Sequence, residues 1–239
     1  MTPSDKIITA VRQYCLDLFQ SGLSTQQSIA SGLLNGVEYF VGGQFENIAE
    51  LKSDLKIVGQ ENLAIRTSGF SKSGHIKQIE IEQQKFIDFI DSLKLENIAN
   101  IRLPFRRRLS DSESKLVRQN LELHWNFDGG YWEPLTECSP QPFSFYPLES
   151  LNTSDYQKLI DTLFEITIDT IFEISEDRLD YEIEVAEFDK EGCETIYTDK
   201  NNKWIVYISH EGTIAFGGLE LLEKLDTLFV NKLQFRNTW

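Results

Sequence analysis

"YISHEGTIAFGG", residues 207–218, decides how the second half of the chain is read. Two apolar runs, "KWIVYIS" (203–209) and "TIAFG" (213–217), flank a polar tip. Gly212 suits the tight turn between them, so the stretch predicts a β-hairpin with His210 and Glu211 at its end. The same tip carries a histidine beside a carboxylate. The zinc-protease pattern HExxH needs a second histidine one helical turn on, to share a face with the first. Here Ile214 stands in that place and both flanks read as strands. The favoured reading is structural, with the imidazole bonded to backbone or to a carboxylate and fixing the loop. Partner contact and acid–base catalysis are the alternatives.

On either side of this stretch and through it, strands are expected at 179–188, 193–198, 203–209 and 212–217, separated by gaps of turn length. Such gaps favour antiparallel pairing over crossover connections. A final amphipathic helix is expected over 219–229, and the longest helix over 153–174, with a stripe from Leu159 to Phe172. "CSPQPFSFYPL" (138–148) reads as extended. In 105–125 Ser110 is a natural N-cap, with Asp111 and Glu113 in the first turn, where the helix dipole favours acids. "NIRLPF" (100–105) reads as a strand that Pro104 ends or places at an edge.

The first hundred residues read as helices. One is capped by Ser4, one runs on from Ser24 despite Gly32 and Gly36, and short ones cover 46–55 and 83–93. Between the last two, "ENLAIRTSG" and "GHIKQIEIEQ" read as two strands joined by "GFSKSG". The fold class expected is α+β, several helices packed on a largely antiparallel sheet. The chain is read as one α+β unit over 1–239 that divides, if at all, into a helix-rich lobe, 1–95, and an α+β lobe, 96–239.

With 239 residues, 41% hydrophobic and 26% charged, the composition is that of a globular protein that needs no staple. The three cysteines, at 15, 138 and 193, show no CxxC spacing and suit reduced thiols. No signal-like core and no long apolar run is visible, so a cytoplasmic, non-membrane protein is expected. The net charge is −15, of which residues 151–239 carry −11. The window 173–194 holds ten carboxylates against Arg178 and Lys190. Such a surface repels nucleic-acid phosphates and attracts a basic protein partner. Solubility alone is the plainer explanation of the same charge.

The chemistry-bearing motifs are sparse. The nucleophile elbow, the phosphate loop and the dinucleotide fingerprint are all absent. No catalytic residue, metal or cofactor is expected. Arg106, Arg107 and Arg108 form the one basic cluster, read first as paired with the acidic second half and alternatively as an anion site. Tyr131 and Trp132, close after Trp125, are read first as packing and alternatively as interface anchors. His124 suits the last turn of the Ser110 helix, and His75 a strand entry.

Two stretches resemble a family. "FRRRLSDSESKLVRQNLELHWNFDGGYWEPL" is similar to an arginine-rich strand end, a helix and a Tyr-Trp-x-Pro-Leu segment. "NKWIVYISHEGTIAFGG" is similar to a Trp-x-x-Tyr-x-Ser-His-Glu segment. Both resemble small uncharacterised bacterial proteins, some associated with toxin–immunity loci. The resemblance implies an immunity-type role and transfers no catalytic residue. The functional expectation is therefore a non-enzymatic, acidic protein-binding module that occludes a basic partner. Its contacts would come from Trp132, Tyr131, His210, Glu211 and Arg106–Arg108. The alternative is an enzyme with a pocket where His210, Glu211 and the arginines converge.

Overall fold

The computed structural model describes residues 1–61, 73–130, 132–133, 140–167, 169–176, 179–192 and 194–238. The chain divides into two compact units, Met1–Leu103 and Pro104–Trp239.

The first unit is helical among its described residues: α1 (Pro3–Ser21), α2 (Ser24–Val37), α3 (Ile48–Glu61) and α4 (Ser73–Ser92). The cap of α1 is Thr2, not Ser4. Its hydroxyl accepts the Asp5 N–H at 3.1 Å, Asp5 Oδ2 accepts the Thr2 N–H at 2.7 Å, and Pro3 fills the first helical position. Ile7, Val11, Cys15, Ile29, Leu33, Leu51, Leu55, Phe86 and Ile90 close one core. Two carboxylates, Glu38 and Glu82, are buried in this unit. Arg12 Nη2 donates to Glu38 Oε1 at 3.0 Å, and Glu82 Oε1 accepts from Gln26, Gln78 and Lys85. The strand expected over 74–83 is instead the first half of α4. Ile79, Phe86 and Ile90 fall at helical spacing and are buried, whereas Ile76 and Ile81, which suggested alternation, are exposed. The expected partner strand and turn lie largely in 62–72, outside the described residues.

The second unit carries, among its described residues, a seven-stranded antiparallel sheet. Its strands are β1 (Arg106–Arg108), β2 (Phe143–Pro147), β3 (Thr170–Ser175), β4 (Tyr181–Glu184), β5 (Thr195–Asp199), β6 (Ile205–Ile208) and β7 (Thr213–Gly217), in the order β1-β4-β3-β5-β6-β7-β2. The α+β class is thus the one the chain adopts. Alternation along each strand feeds two cores. Val206, Ile208, Ile214, Phe216, Ile171 and Tyr197 face α6 (Thr153–Ile166) and α7 (Leu219–Leu228). Ile205, Tyr207, Ala215, Ile174 and Ile196 face α5 (Asp111–Trp125), which supplies Val117, Leu121 and Trp125. Helices therefore cover both faces.

The helix expected over 153–174 ends at Ile166. Asp169 takes a left-handed φ of 72°, and the chain then re-enters the sheet as β3. The β-branched residues at 166–168, 170 and 171 favour the extended state over a continued helix. Burial of Ile171 and Ile174 on opposite faces of the sheet then outweighs the helical stripe.

Candidate functional site

The β6–β7 hairpin places the candidate site. Ser209 N–H donates to Thr213 O at 3.0 Å, Gly212 N–H donates back to Ser209 O at 3.2 Å, and Gly212 has φ 75°. His210 at the tip does not dangle. Its backbone N–H donates to Glu194 Oε1 at 2.8 Å, and its Nδ1 bonds the same oxygen. The other oxygen of Glu194 accepts the Tyr207 hydroxyl. Glu194 itself sits just ahead of β5 with φ 49°. One carboxylate thus ties the hairpin tip to the adjacent strand.

The electrostatics follow from these bonds. The hydrogen bond and charge of Glu194, helped by Glu211 and Glu176, hold the His210 imidazole above its ordinary value. Burial pushes the Glu194 carboxyl up, but the bonds from Tyr207 and His210 together outweigh it and hold the group below the usual carboxylate range. Burial and the same contact push the Tyr207 phenol up. The imidazole remains open to solvent, 69% exposed, so its free edge is presented outward.

Beside the tip lies a cleft of about 480 Å³. Leu148, Leu151, Tyr156 and Ile208 give it an apolar lining, and Glu149, Glu191, Lys190 and His210 a polar one. Lys190 Nζ lies 4.7 Å from the centre of the Tyr156 ring, a cation over an aromatic face. Glu149 and Glu191 are exposed and make no ion pair among the described residues.

The arginine cluster lies elsewhere. β1 is an edge strand, and β4, β3 and β5 separate it from β6, so the cluster and the hairpin do not converge on one pocket. The cleft beside His210 contains none of the three arginines. Arg106 grips Glu173 with Nη1 at 3.1 Å and Nη2 at 2.6 Å, and its guanidinium lies 4.0 Å over the Tyr181 ring. Arg107 points to the opposite face and bonds Glu182 and Glu113. Arg108 keeps a buried Nε without a hydrogen-bond partner. A ready anion site at this cluster is not what the geometry gives, because two of its three guanidiniums are filled by carboxylates of the same unit.

Trp132 is 2% exposed and donates its indole N–H to Trp125 O at 2.8 Å, so it is a core residue and not an interface anchor. Trp125 is buried edge-on against it and donates to Asn202 O. Tyr131 lies outside the described residues. Glu211 is exposed at the hairpin tip. His124 Nδ1 bonds Asn120 O at 2.8 Å within α5. The side chain of His75 lies outside the described residues.

The acidic window also divides. Glu173, Asp180, Glu182 and Glu194 turn inward to Arg106, Arg118, Arg107 and His210. Sequence reasoning missed Glu194 as the partner of His210, and Lys190 and Tyr156 as cleft residues. Glu194 is sixteen positions from His210 and is one of ten carboxylates in its window, so no local spacing marks it. Among the described residues no group of three or more His, Cys, Asp or Glu is arranged to hold a metal ion. No helix among them is long and apolar enough to cross a membrane.

Comparison of the chain with protein-family models, with curated proteins and with solved structures finds no significant match.

Proposed function

We propose that residues 104–239 form an acidic, non-enzymatic module that binds a basic protein partner, in the manner of a bacterial immunity-type protein that occludes its target. One observation carries this reading. The unit has 26 acidic and 13 basic side chains, a net of −13. Among the described residues seven of its cations, from Arg106 to Arg236, are already held in ion pairs within the unit. Lys115, Lys158 and Lys203 are exposed and in no ion pair among the described residues, but exposed carboxylates outnumber them, with Glu149, Glu176, Glu191 and Glu211 near the hairpin. Such a field speeds encounter with a basic surface and repels an acidic one. The immunity form of the reading rests on the resemblance of the hairpin and of the α5 stretch to small bacterial proteins, some of them associated with toxin–immunity loci.

The test offers the immobilised protein a set of purified basic, neutral and acidic proteins at low salt, then repeats it at high salt. Binding confined to basic proteins and released by salt is the expected result. Equal binding of acidic and basic proteins overturns the reading.

Acid–base catalysis is a second reading, favoured by the way Glu194 orients the His210 ring through Nδ1. An activity lost in His210→Ala with the fold intact would establish it.

A further inference from the structure

We propose that the cleft beside the β6–β7 hairpin is the seat of one basic side chain, lysine or arginine, of that protein partner. The inference rests on the basic-partner reading and assigns it a place. A basic side chain has two parts with different needs: an apolar stem and a charged head that stays at the edge of water. The cleft offers both. Leu148, Leu151 and Ile208 give the stem an apolar surface. Glu149 and Glu191 supply carboxylates that lie within ion-pair distance of no cation among the described residues, although Lys190 and His210 line the same cleft. Glu211 and Glu176 add negative charge close to His210.

A second observation points the same way. The chain has placed one of its own cations in this cleft, with Lys190 Nζ over the Tyr156 ring at 4.7 Å. That contact shows that the cleft's chemistry suits an ammonium group; because Lys190 takes this face of the ring, an incoming stem packs on Leu148, Leu151 and Ile208. Lys190 makes no ion pair with Glu149 or Glu191. The carboxylates thus keep their capacity for an incoming head group.

The occupant is a protein's side chain, because the cleft is open at the surface and the unit's net charge of −13 steers a basic surface toward it. His210 stands at the rim as a fixed wall, anchored by Glu194 at both its backbone N–H and its ring.

The probe is hexalysine, titrated at low salt into the full chain while methyl and imidazole resonances are followed by NMR. The expected result is saturable shifts at Leu151, Ile208 and His210. Glu149→Gln with Glu191→Gln should weaken binding about fivefold, the size of two exposed ion pairs. Glu220→Gln with Glu223→Gln, an equal charge change on the exposed side of α7, should weaken it less. Equal weakening by the two pairs, or shifts confined to other surfaces, overturns the cleft while leaving the basic-partner reading standing. Absence of hexalysine binding to the wild type overturns both. Shifts that grow with protein concentration alone mean that a second copy of the chain fills the cleft. Free lysine binding as tightly as hexalysine means a small-amine site. Either result overturns the proposal.

Discussion

Arg107 and Glu182 stand directly opposite each other on β1 and β4, and the guanidinium donates to Glu182 Oε2 from Nε at 3.0 Å and from Nη2 at 2.9 Å. Its third nitrogen, Nη1, reaches both oxygens of Glu113 at 2.9 and 3.1 Å. Glu113 in turn closes the capping box of α5 by accepting the Ser110 N–H at 2.8 Å. One planar fork thus links the edge strand, its neighbour and the start of a helix, a geometry that lysine does not reproduce. Arg107→Ala is expected to lower stability by about 2 kcal/mol, below the range for fully buried pairs because the site is partly exposed and Lys200 still faces Glu182. Arg107→Lys should recover only part of the loss. Urea denaturation of the three proteins decides it, and an unchanged midpoint for Arg107→Ala would show that the fork adds nothing.

The pH dependence has two limbs of opposite sign. The pKa of His210 is raised in the folded state, so its contact with Glu194 stabilises the fold fully below the ordinary histidine value of about 6.5 and loses that effect as pH rises through the folded value. Glu182 and Glu194 are held low, because hydrogen bonds outweigh their burial. Their stabilisation is present above the ordinary glutamate value of about 4.3 and is lost as pH falls through the folded values. In Glu194→Gln the His210 titration, followed by proton NMR, should move down toward 6.5. A midpoint that stays where it was would contradict the assigned contact.

Two glycines with left-handed backbones should respond differently to a methyl group. Gly218, φ 107°, leads into α7, and a Cβ there would stand 2.5 Å from Lys203 O and 3.0 Å from Trp204 Cα. Gly212, φ 75°, has nothing within 4 Å of that position. Gly218→Ala is expected to cost about 3 kcal/mol, from strain and collision together, and Gly212→Ala about 1 kcal/mol from backbone strain alone. Thermal melts of the pair test the order, and a reversed order would place the hairpin tip under constraints other than those described.

The far edge of the sheet is covered by the C-terminal segment. Asn237, φ 56°, donates its N–H to Phe145 O at 2.8 Å and accepts the Phe145 N–H on Oδ1 at 3.1 Å, as a neighbouring strand would. Pro147, on the same strand, has no N–H to offer. Asn237→Ala removes the side-chain acceptor and a residue type that tolerates the left-handed region. A loss of about 1 kcal/mol is expected, with more self-association at high concentration as the edge is uncovered. Denaturation and sedimentation measure the two effects, and no change in either would mean that Asn237 does not guard the edge.

Legibility in the sequence tracked how local each cause is. The hairpin was readable because alternation and Gly212 lie within a dozen residues. The start of α5 was readable because Ser110 and Glu113 are three apart and do meet, Ser110 Oγ accepting the Glu113 N–H at 3.3 Å. The end of α6 was not, because its apolar stripe continues at helical spacing into residues whose burial on two sheet faces is a tertiary effect. The start of α4 failed for a similar reason. Exposed Ile76 and Ile81 mimic a strand, and only the packing of Ile79 with Phe86 and Ile90 reveals the helix. At the candidate site the histidine stood out but its carboxylate did not. Glu194 reaches His210 only because β5 and β6 pair, with Thr195 opposite Ile208. The arginines were visible as a cluster, while their direction, inward to Glu173 and Glu182, was set by the β1–β4 register.

Carboxylates in excess of those paired internally recruit the proposed basic partner. The most direct test of that recruitment is calorimetric titration of the native protein with hexalysine and with hexaglutamate at two ionic strengths, roughly 0.02 M and 0.2 M, between which the screening length falls severalfold. Hexalysine is expected to bind at the lower salt and to weaken about tenfold or more at the higher, with no hexaglutamate binding at either. Failure of hexalysine to bind at low salt, or binding that salt leaves unchanged, would contradict the proposal.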